Sequence, residues 1–465
     1  MVRGKKKEEL TLEEKLEQAL VPVEEQPYEV PENWCWVRLG SISQVVGGGT
    51  PSTSHKEYYE NGNIPWISPA DLSRYEDKYI SGGARMITEL GLNKSSARLL
   101  PQNTVCLSTR APIGYVVIAE NQLSTNQGFK NFFPSPVYMP EYLYWYLKGN
   151  KEFLEEKASG TTFRELSMSK VSKIEFPLPP IQEQRRIVDR IESLFAKLDE
   201  AKEKVQEVID GYAIRETTIL QKAVSGELTK GWREKNGISK KAWKVISLKE
   251  CGNWFGGGTP AKSKNVYWDG GTIPWITSKD MKDRLVEDSL LHITQEGVNH
   301  SSAQYCDKPA VLFVMRSGIL RRILPVCMVK VPFTVNQDLK AVIPEKIQLE
   351  YMYWACTAYE KDIRENCMKS GTTVESIEAK KLFEYELPLP DEREQKVIVG
   401  VIENLMCKEE SAKQLAVQIL KRIDIMKKSI LAKVFRGELG TNNLEEESSV
   451  KLLKTNIRAK RDKVR

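Results

Sequence analysis

Apolar residues in the middle of the chain recur at alternating steps of four and three. The series consists of Ile187, Ile191, Leu194, Leu198, Ala201, Val205, Val208 and Tyr212, and it resumes one heptad later at Ile219. This is the heptad pattern of a long helix that packs along one seam. Pro179 precedes the series and Gly226 follows it, which predicts one helix roughly 65 Å long at 1.5 Å per residue. A rod of this length typically holds two bodies at a set distance.

The same pattern occurs a second time. PLPPIQEQ at 177–184 returns as PLPDEREQ at 388–395, and ILQKAVSGEL at 219–228 returns as ILAKVFRGEL at 430–439. The second seam consists of Ile398, Ile402, Leu405, Ala412, Ile419, Ile423, Met426 and Ile430. Glu409 and Ala416 interrupt it, and the sequence shows no partner for Glu409.

The repeat extends upstream of each helix. GGGTP at 47–51 returns at 256–260, Ile-Pro-Trp at 64–66 returns at 273–275, and Ser-Gly-Thr-Thr at 159–162 returns at 370–373. One unit of about 210 residues is therefore used twice. The expected organisation is an arm and linker (1–31), a first module (32–178), a first helix (179–229), a linker (230–243), a second module (244–387), a second helix (388–440) and a charged tail (441–465).

Composition bounds the class of protein. The 465 residues carry a net charge of +6, which permits a nucleic-acid partner but does not require one. Eight scattered cysteines without a CxxC pair and three histidines disfavour a zinc site and indicate reduced thiols. The lysine-rich start lacks an apolar core, and no apolar run approaches membrane-spanning length. We therefore expect a soluble, cytoplasmic protein.

Local patterns predict smaller elements. Leu12, Leu16 and Leu20 share one face of a short helix that lies on a neighbour or a partner, and 105–107 and 115–119 are typical of strands. The aromatic cluster of Tyr142, Tyr144, Trp145 and Tyr146, echoed at 351–354, is typical of a core helix rather than of base stacking. The Trp of Ile-Pro-Trp is likewise expected in the core. GGGTP is equally compatible with a tight loop and with close approach to a phosphate.

Two segments leave alternatives open. Thr162 with Glu165 and Thr372 with Glu375 fit a helix-capping box, although a helix N-terminus also binds phosphate. The tail after Asn442 carries an acidic run and then a basic stretch. A solvated tail is the favoured interpretation; a helix or a nucleic-acid contact is the alternative.

These motifs together resemble the specificity subunit of type I restriction–modification systems over about residues 30–440. The resemblance is carried by W-x-x-x-x-L-G at 34–40, by GGGTP, Ile-Pro-Trp and Ser-Gly-Thr-Thr, by P-L-P-P-x-x-E-Q before each helix and by G-E-L after it. Each motif alone is weak, but their order, repeated twice with a heptad helix after each module, is specific.

The resemblance implies an α+β fold with two mixed α/β target recognition domains in tandem pseudo-repeat, separated by two long helices that form an antiparallel coiled coil. Each domain would read one half of a split site in double-stranded DNA, and the helices would set the spacer. Two modification subunits would bind the chain and carry S-adenosylmethionine. Restriction subunits would use ATP and Mg. The chain itself would be non-catalytic, bind no cofactor, metal or membrane, and bind DNA weakly in isolation.

Polar and basic loop residues are the candidate DNA contacts, because such side chains bind base edges and phosphates. In the first module they are Thr50, Ser52, Lys56, Ser68, Arg74, Arg110, Asn126, Gln127 and Lys130. In the second module they are Thr259, Lys262, Lys264, Ser278, Lys279, Arg316, Arg321, Arg322, Asn336, Gln337 and Lys340. Arg110 and Arg316 each follow a strand-like run and could equally form an ion pair instead of a DNA contact. The sequence leaves their equivalence open, because the local offset of 206 departs from that of the flanking motifs.

Two other classes of function stay open at this point. A free-standing nuclease with two DNA-binding modules would need a carboxylate cluster for a metal ion, and no catalytic or metal-binding constellation is visible. A scaffold or restriction-control protein would use the helices to join other proteins and would show no DNA sequence preference.

Overall fold

The computed structural model describes residues 11–110, 112–159, 164–369 and 374–462. Its contacts divide the chain into unit 1, residues 1–204 and 420–465, and unit 2, residues 205–419. Each unit thus combines one globular module with half of each long helix. The expected capping boxes at Thr162 and Thr372 lie outside the described residues.

The strands and helices follow one plan twice. The strands of unit 1 are β1 (Cys35–Arg38), β2 (Val45–Gly47), β3 (Ile64–Ile67), β4 (Tyr79–Ile80), β5 (Arg85–Ile87), β6 (Val105–Thr109), β7 (Ile113–Ala119), β8 (Ser124–Thr125), β9 (Phe129–Phe132) and β10 (Glu175–Leu178). The strands of unit 2 are β11 (Lys244–Ser247), β12 (Gly252–Gly256), β13 (Ile273–Ile276), β14 (Leu285–Val286), β15 (His292–Ile293), β16 (Ala310–Val314), β17 (Val326–Val329), β18 (Thr334–Val335), β19 (Leu339–Pro344) and β20 (Glu386–Leu389). The α-helices are α1 (Leu12–Ala19), α2 (Leu39–Ile42), α3 (Glu89–Asn93), α4 (Pro140–Gly149), α5 (Lys151–Lys157), α6 (Met168–Ser172), α7 (Ile181–Asp210), α8 (Tyr212–Val224), α9 (Lys230–Lys235), α10 (Gln295–Asn299), α11 (Leu349–Ala358), α12 (Glu360–Cys367), α13 (Ala379–Glu384), α14 (Glu392–Phe435) and α15 (Ser449–Asp462).

Each unit contains three sheets with matching strand orders. In unit 1 they are β2-β9-β6-β7-β4, β5-β3-β8 and β1-β10; in unit 2 they are β12-β19-β16-β17-β14, β15-β13-β18 and β11-β20. Most pairs are antiparallel, while β4 with β7, β3 with β8, and their counterparts are parallel. The tandem α/β repeat predicted from sequence is therefore confirmed at the level of strand pairing.

The aromatic helices belong to the core, as the sequence predicts. Tyr142 and Tyr144 in α4 and Tyr351 in α11 are at most 1% exposed. The Tyr142 hydroxyl donates to the Pro177 carbonyl at 3.0 Å. These rings are therefore not available to stack on bases.

The first long helix is assigned as two segments, α7 and α8, rather than the single helix predicted. The interruption lies at Gly211, the residue type that most weakens a helix interior. The Arg215 guanidinium donates to the Val208 carbonyl at 2.7 Å and occupies the place of a side chain at Gly211. The heptad seam is wrong at Val208, which is 39% exposed.

The second seam follows a different line from the predicted one. Ile402 and Ile423 are buried as expected, and Ala416, predicted to interrupt the seam, is buried with them. Met426, predicted inside the seam, is 50% exposed. Glu409 has a partner after all, because the Arg215 Nε donates to its carboxylate at 2.8 Å within unit 2.

Antiparallel packing of the helices is seen inside each unit. In unit 1, Lys427 of α14 pairs with Asp199 of α7 at 2.5 Å. In unit 2, the Tyr212 hydroxyl of α8 donates to Glu410 of α14 at 3.1 Å. The earlier part of one helix thus meets the later part of the other.

The segments predicted as tail and linker are folded. α15 packs on α1 in unit 1, and its Leu453 is fully buried, so a solvated tail is wrong. The linker 230–243 contains α9, whose Arg233 is 6% exposed and forms an ion pair with Glu394 at 2.5 Å. Each segment contains a buried residue among its charged ones, Leu453 in α15 and Arg233 in α9. A count of charges does not show that such a residue is buried.

Candidate nucleic-acid interface

The repeated motifs of unit 1 converge on one group of loops. The Gly49 amide donates to the Thr125 carbonyl at 2.8 Å, and the Asn126 amide donates to the Ile67 carbonyl at 2.9 Å. The Trp66 indole donates to the Gly49 carbonyl at 3.0 Å. We call residues 47–51, 64–68, 108–110 and 124–128 the loop cluster of unit 1.

Unit 2 builds the same arrangement. The Trp275 indole donates to the Gly258 carbonyl at 3.0 Å, and the Asn336 amide donates to the Ile276 carbonyl at 3.0 Å. Residues 256–260, 273–277, 314–316 and 334–338 form the loop cluster of unit 2. Trp66 and Trp275 are each 5% exposed, which confirms that this tryptophan is a core anchor.

The middle glycines of GGGTP are required by close backbone contact. A Cβ on Gly48 would lie 2.0 Å from the Asn126 carbonyl oxygen, and a Cβ on Gly257 would lie 1.7 Å from that of Val335. Either distance is far inside van der Waals contact. Of the two interpretations left open by the sequence, the tight loop therefore accounts for these glycines.

A threonine–glutamine pair lies at the surface of each cluster. The Thr50 hydroxyl donates to the Gln127 side-chain oxygen, and the Thr259 hydroxyl donates to that of Gln337 at 2.5 Å. Gln127 and Gln337 are exposed. Because each amide oxygen already accepts a hydrogen bond, the amide N–H2 group is left to donate to an external acceptor.

Strand register settles the equivalence of the two arginines. Leu107 of β6 lies opposite Lys130 of β9, and Phe313 of β16 lies opposite Lys340 of β19. Arg110 and Arg316 each follow three residues after these positions. The offset of 206 is therefore the correct local alignment. It differs from the offsets on either side because loops before and after this region differ in length between the units.

Both arginines are exposed within their loop clusters. Arg316 donates from Nε to Asp338 at 2.8 Å while 58% of its side chain remains exposed. Asp338 follows Gln337 directly, so this contact ties the arginine to the threonine–glutamine pair. Arg110 forms a β-bridge with Glu165 through its backbone.

Ser68 and the counterpart of Ser68 in unit 2 form hydrogen bonds within the loops. Ser68 donates to Asp71 at 2.7 Å and caps a short 3-10 helix, and in unit 2 Thr277 donates to Asp280 at 2.7 Å. Thr277 and not Ser278 is thus the counterpart of Ser68. Burial raises the pKa of Asp71, but hydrogen bonds from Ala84 and Ser68 outweigh this effect and leave the pKa lowered.

Burial also separates some candidates from the surface. Lys130 is 8% exposed and lies 3.6 Å from the Glu165 carboxylate, and Asn336 is likewise 8% exposed. Lys340 lies over the Phe383 ring at 5.9 Å. Asn126 is half-buried, and its side-chain oxygen accepts from the Gly128 amide at 2.9 Å.

The remaining candidates lie at the surface. Arg321 pairs with Glu375 at 2.7 Å, and Lys264 donates to the Tyr267 hydroxyl at 3.0 Å. Ser52 forms a 2.7 Å hydrogen bond with Ser54. Exposed basic side chains with no ion pair among the described residues are Lys56, Arg74, Lys262, Lys279 and Arg322.

The sequence did not reveal the role of the acid in the E-Q pair that starts each long helix. The fully buried Glu183 accepts from the Trp34 indole at 2.8 Å and from the Asn442 amide at 2.8 Å. Burial raises its pKa, although both donors oppose this shift. Glu394 accepts from the Trp243 indole at 2.7 Å in the same way. The signal was present, since Trp and Glu recur in both copies.

The amide of the E-Q pair ties the helix to the module. The Gln184 side-chain oxygen accepts from the Met139 amide at 2.8 Å, and that of Gln395 accepts from the Gln348 amide at 2.9 Å. The G-E-L motif ends the rod, because Gly226 and Gly437 adopt φ of +76° and +75°. These motifs are similar in both copies because they build the joint between helix and module.

Within the described residues, no group of three or more His, Cys, Asp or Glu side chains is placed to hold a metal ion. No helix in the same part of the chain is long and apolar enough to cross a membrane.

Comparison with known proteins identifies the family. The family model for the type I restriction modification DNA specificity domain matches residues 31–210 and 240–421. The chain therefore belongs to this family of DNA specificity subunits, which are the non-catalytic DNA-recognition components of type I restriction–modification systems. The two matches correspond to the two copies of the repeat.

Individual relatives agree with the family. The type I restriction enzyme MjaIX specificity subunit of Methanocaldococcus jannaschii is 30% identical over 70% of this chain and 76% of its own length. The EcoR124I/EcoR124II specificity subunit of Escherichia coli is 44% identical over 35% of this chain and 40% of its own length.

A solved structure has the same fold. The HsdS subunit from Thermoanaerobacter tengcongensis aligns with a TM-score of 0.62 at 18% identity, covering 89% of this chain and all of that one.

Proposed function

We propose that this chain supplies the DNA sequence specificity of a type I restriction–modification enzyme, with each unit reading one half of a bipartite site through its loop cluster. The observation that carries the proposal is the loop cluster itself. It is built twice from the same motifs and presents an exposed glutamine and an exposed arginine each time.

The side chains suit this task. The free N–H2 group of each glutamine can donate to an acceptor on a base edge, and arginine can donate twice to a guanine edge or to phosphate. In unit 1, the candidate side chains are those of Thr50, Ser52, Lys56, Arg74, Arg110 and Gln127. In unit 2, the candidate side chains are those of Thr259, Lys262, Lys264, Lys279, Arg316, Arg321, Arg322 and Gln337. The loops are supported by contacts of Lys130, Asn126 and Ser68 in unit 1 and of their counterparts in unit 2.

The two halves of the site differ in sequence under this proposal. The threonine–glutamine pair is common to both clusters, but the surroundings diverge. Arg74 stands in the place of Asp283 in the sequence alignment of the two copies, and Arg321 lies in a longer loop of unit 2 between β16 and β17. Opposite charges at one position favour different bases or phosphate geometries.

The partners follow from the same proposal. Two modification subunits dock on the long helices and bring S-adenosylmethionine and the methyl-transfer residues. Restriction subunits bring ATP and Mg. The modest net charge of +6 fits an assembly in which the partners neutralise much of the phosphate charge, and the whole acts in the cytoplasm, where the DNA lies.

Mapping methylated adenines tests the proposal. The chain is co-expressed with its modification subunit in an unmethylated host, and modified positions are read by single-molecule sequencing. The expected result is one split motif, two short defined halves around a fixed gap. A stable complex without new methylation would favour a scaffold or restriction-control role, and DNA cleavage by the purified chain with magnesium alone would favour a nuclease.

A further inference from the structure

The outer edge of the two-stranded sheet is treated differently in the two units. In unit 1, the chain's own N-terminal segment covers β1: the Val21 amide donates to the Trp36 carbonyl at 2.9 Å, and Leu20 forms an antiparallel bridge with Val37. The Trp36 indole donates to the Tyr28 carbonyl at 3.1 Å, and Trp36 is only 1% exposed. The segment therefore acts as a short third strand and a cover.

Register shows that this edge is chemically open in unit 2. Trp36 lies opposite Pro177, and its counterpart Val245 lies opposite Pro388. Proline has no N–H to donate, so each of these is a pair without cross-strand hydrogen bonds. In an antiparallel ladder, the N–H and C=O of such a residue point to the opposite edge. The N–H and C=O of Val245 therefore point to the outer edge of β11. On β1, the equivalent carbonyl of Trp36 points to the outer edge and accepts from the Val21 amide.

Nothing among the described residues covers the β11 edge. Val245 is 65% exposed, against 1% for Trp36, and no described backbone amide outside the strand donates to its carbonyl. An open strand edge with an apolar side chain is a ready template for strand addition. The difference arises because the chain before β11 forms α8, a glycine turn and α9, not a covering strand.

Charge indicates what the open edge accepts. The segment that covers β1, residues 11–29, contains six glutamates and one lysine. Residues 240–250, which contain β11, carry four exposed lysines (Lys240, Lys241, Lys244 and Lys249) and one acidic residue, Glu250. Glu386 lies opposite Ser247 on β20, on the side of β11 away from the open edge, and Lys244 also lies near Glu345 and Asp391. An acidic strand with an apolar residue complements the exposed lysines and the exposed Val245 of this edge.

We propose that the free edge of β11 is a docking site for an acidic, extended segment of a modification subunit, which adds to the sheet as a third strand. This rests on the proposed function, because it takes the partner from there. Main-chain hydrogen bonds supply affinity in such strand addition, and the side-chain pockets supply specificity. Since the matching edge of unit 1 is filled by the chain itself, only one of the two modification subunits uses this contact.

The test measures how many modification subunits bind the full-length chain. Purified modification subunit is titrated onto wild type, Val245→Glu and Val245→Pro, and stoichiometry is read by native mass spectrometry. Val245→Pro removes the outward N–H, which the β11–β20 ladder does not use, and proline is tolerated at the edge of a sheet. The matched control is Val266→Glu, another exposed valine of unit 2 at 59% exposure.

Wild type and the control are expected to bind two modification subunits. Both Val245 variants are expected to lose at least tenfold in affinity for one subunit and keep the other. Hydrogen exchange at 244–247 is expected to slow in the wild-type complex. Unchanged stoichiometry with no added protection would overturn the inference and leave the proposed function intact. Protection that appears on self-association of the isolated chain would also overturn it, since a second copy would then cover the edge.

No binding of any modification subunit by wild type would instead contradict the proposed function. The two failures are therefore distinguishable on the same preparations.

Discussion

At the scale of single residues, the repeated motifs divide into those that build the loops and those that are presented by them. Trp66, Gly48 and Asn126 hold the loop backbone in place, whereas Gln127 and Arg110 extend from it. Sequence patterns alone give both kinds the same weight. Burial and hydrogen-bond direction separate them.

Arginine substitution should weaken DNA binding by the assembled enzyme. Arg110→Ala and Arg316→Ala each remove an exposed guanidinium from a loop cluster, and we expect a loss of about 1–3 kcal/mol in affinity for the cognate site. Lys173→Ala, an exposed basic residue of unit 1 outside the cluster, serves as control. Affinity is measured across a series of salt concentrations. Unchanged affinity and unchanged salt slope for both arginine variants would remove them from the interface.

Adding one methyl group to a motif glycine should disrupt the loop cluster of unit 2. Gly257→Ala places a carbon 1.7 Å from the Val335 oxygen, and we expect a stability loss of about 1–3 kcal/mol together with weaker DNA binding. Gly231→Ala in α9 meets no atom within 4 Å and should be neutral or stabilising by up to about 1 kcal/mol. Thermal unfolding of the two variants decides the matter; equal midpoints would contradict the prediction.

At the scale of elements, each long helix is joined to its module by one buried acid. Glu394 accepts from Trp243, Thr229 and Arg233, and so connects the start of α14 with the segment that follows α8. Glu183 does the same for α7 with Trp34 and Asn442. These bonds explain why the helix ends and starts are more alike between copies than the module interiors.

Removing the buried acid should destabilise unit 2 strongly. Glu394→Ala leaves the buried Arg233 guanidinium without its carboxylate, and we expect a loss of about 3–5 kcal/mol. Glu392→Ala, two residues earlier on the same helix, breaks an exposed pair with Lys396 and should leave the stability nearly unchanged, because solvent screens exposed ion pairs. Calorimetry resolves the unit-2 transition in both variants. Similar midpoints would show that the joint is held by other contacts.

At the scale of the whole molecule, the plan of one module and two helix halves is used twice. Both units share strand order, sheet register and loop cluster, but they are not interchangeable. Unit 1 has α1 and α15 as additional cover, while unit 2 has an open strand edge. A duplicated sequence has thus acquired one asymmetric surface.

Shortening both long helices by one heptad should shorten the gap in the recognised motif. Residues 201–207 and 417–423 are deleted together, which preserves the heptad register and removes roughly 10 Å of helix, or about 3 base pairs. The two halves of the methylated motif should stay the same. Methylation mapping reads both quantities at once. Deleting only five residues from each helix breaks the register and should abolish methylation. An unchanged gap would mean that the helices do not set it.

The sequence by itself determined the repeat, the position of the two long helical segments, the aromatic core helices and the family resemblance. These features are local or periodic, so they are written in residue spacing. Only the tertiary structure decided that Arg110 and Arg316 are equivalent, that Lys130 is buried and that Glu409 has a partner, because each depends on contacts between distant segments. The folded tail and the open edge of β11 have the same cause. The pattern of a segment predicts its own conformation, but what covers it is decided by residues elsewhere in the chain.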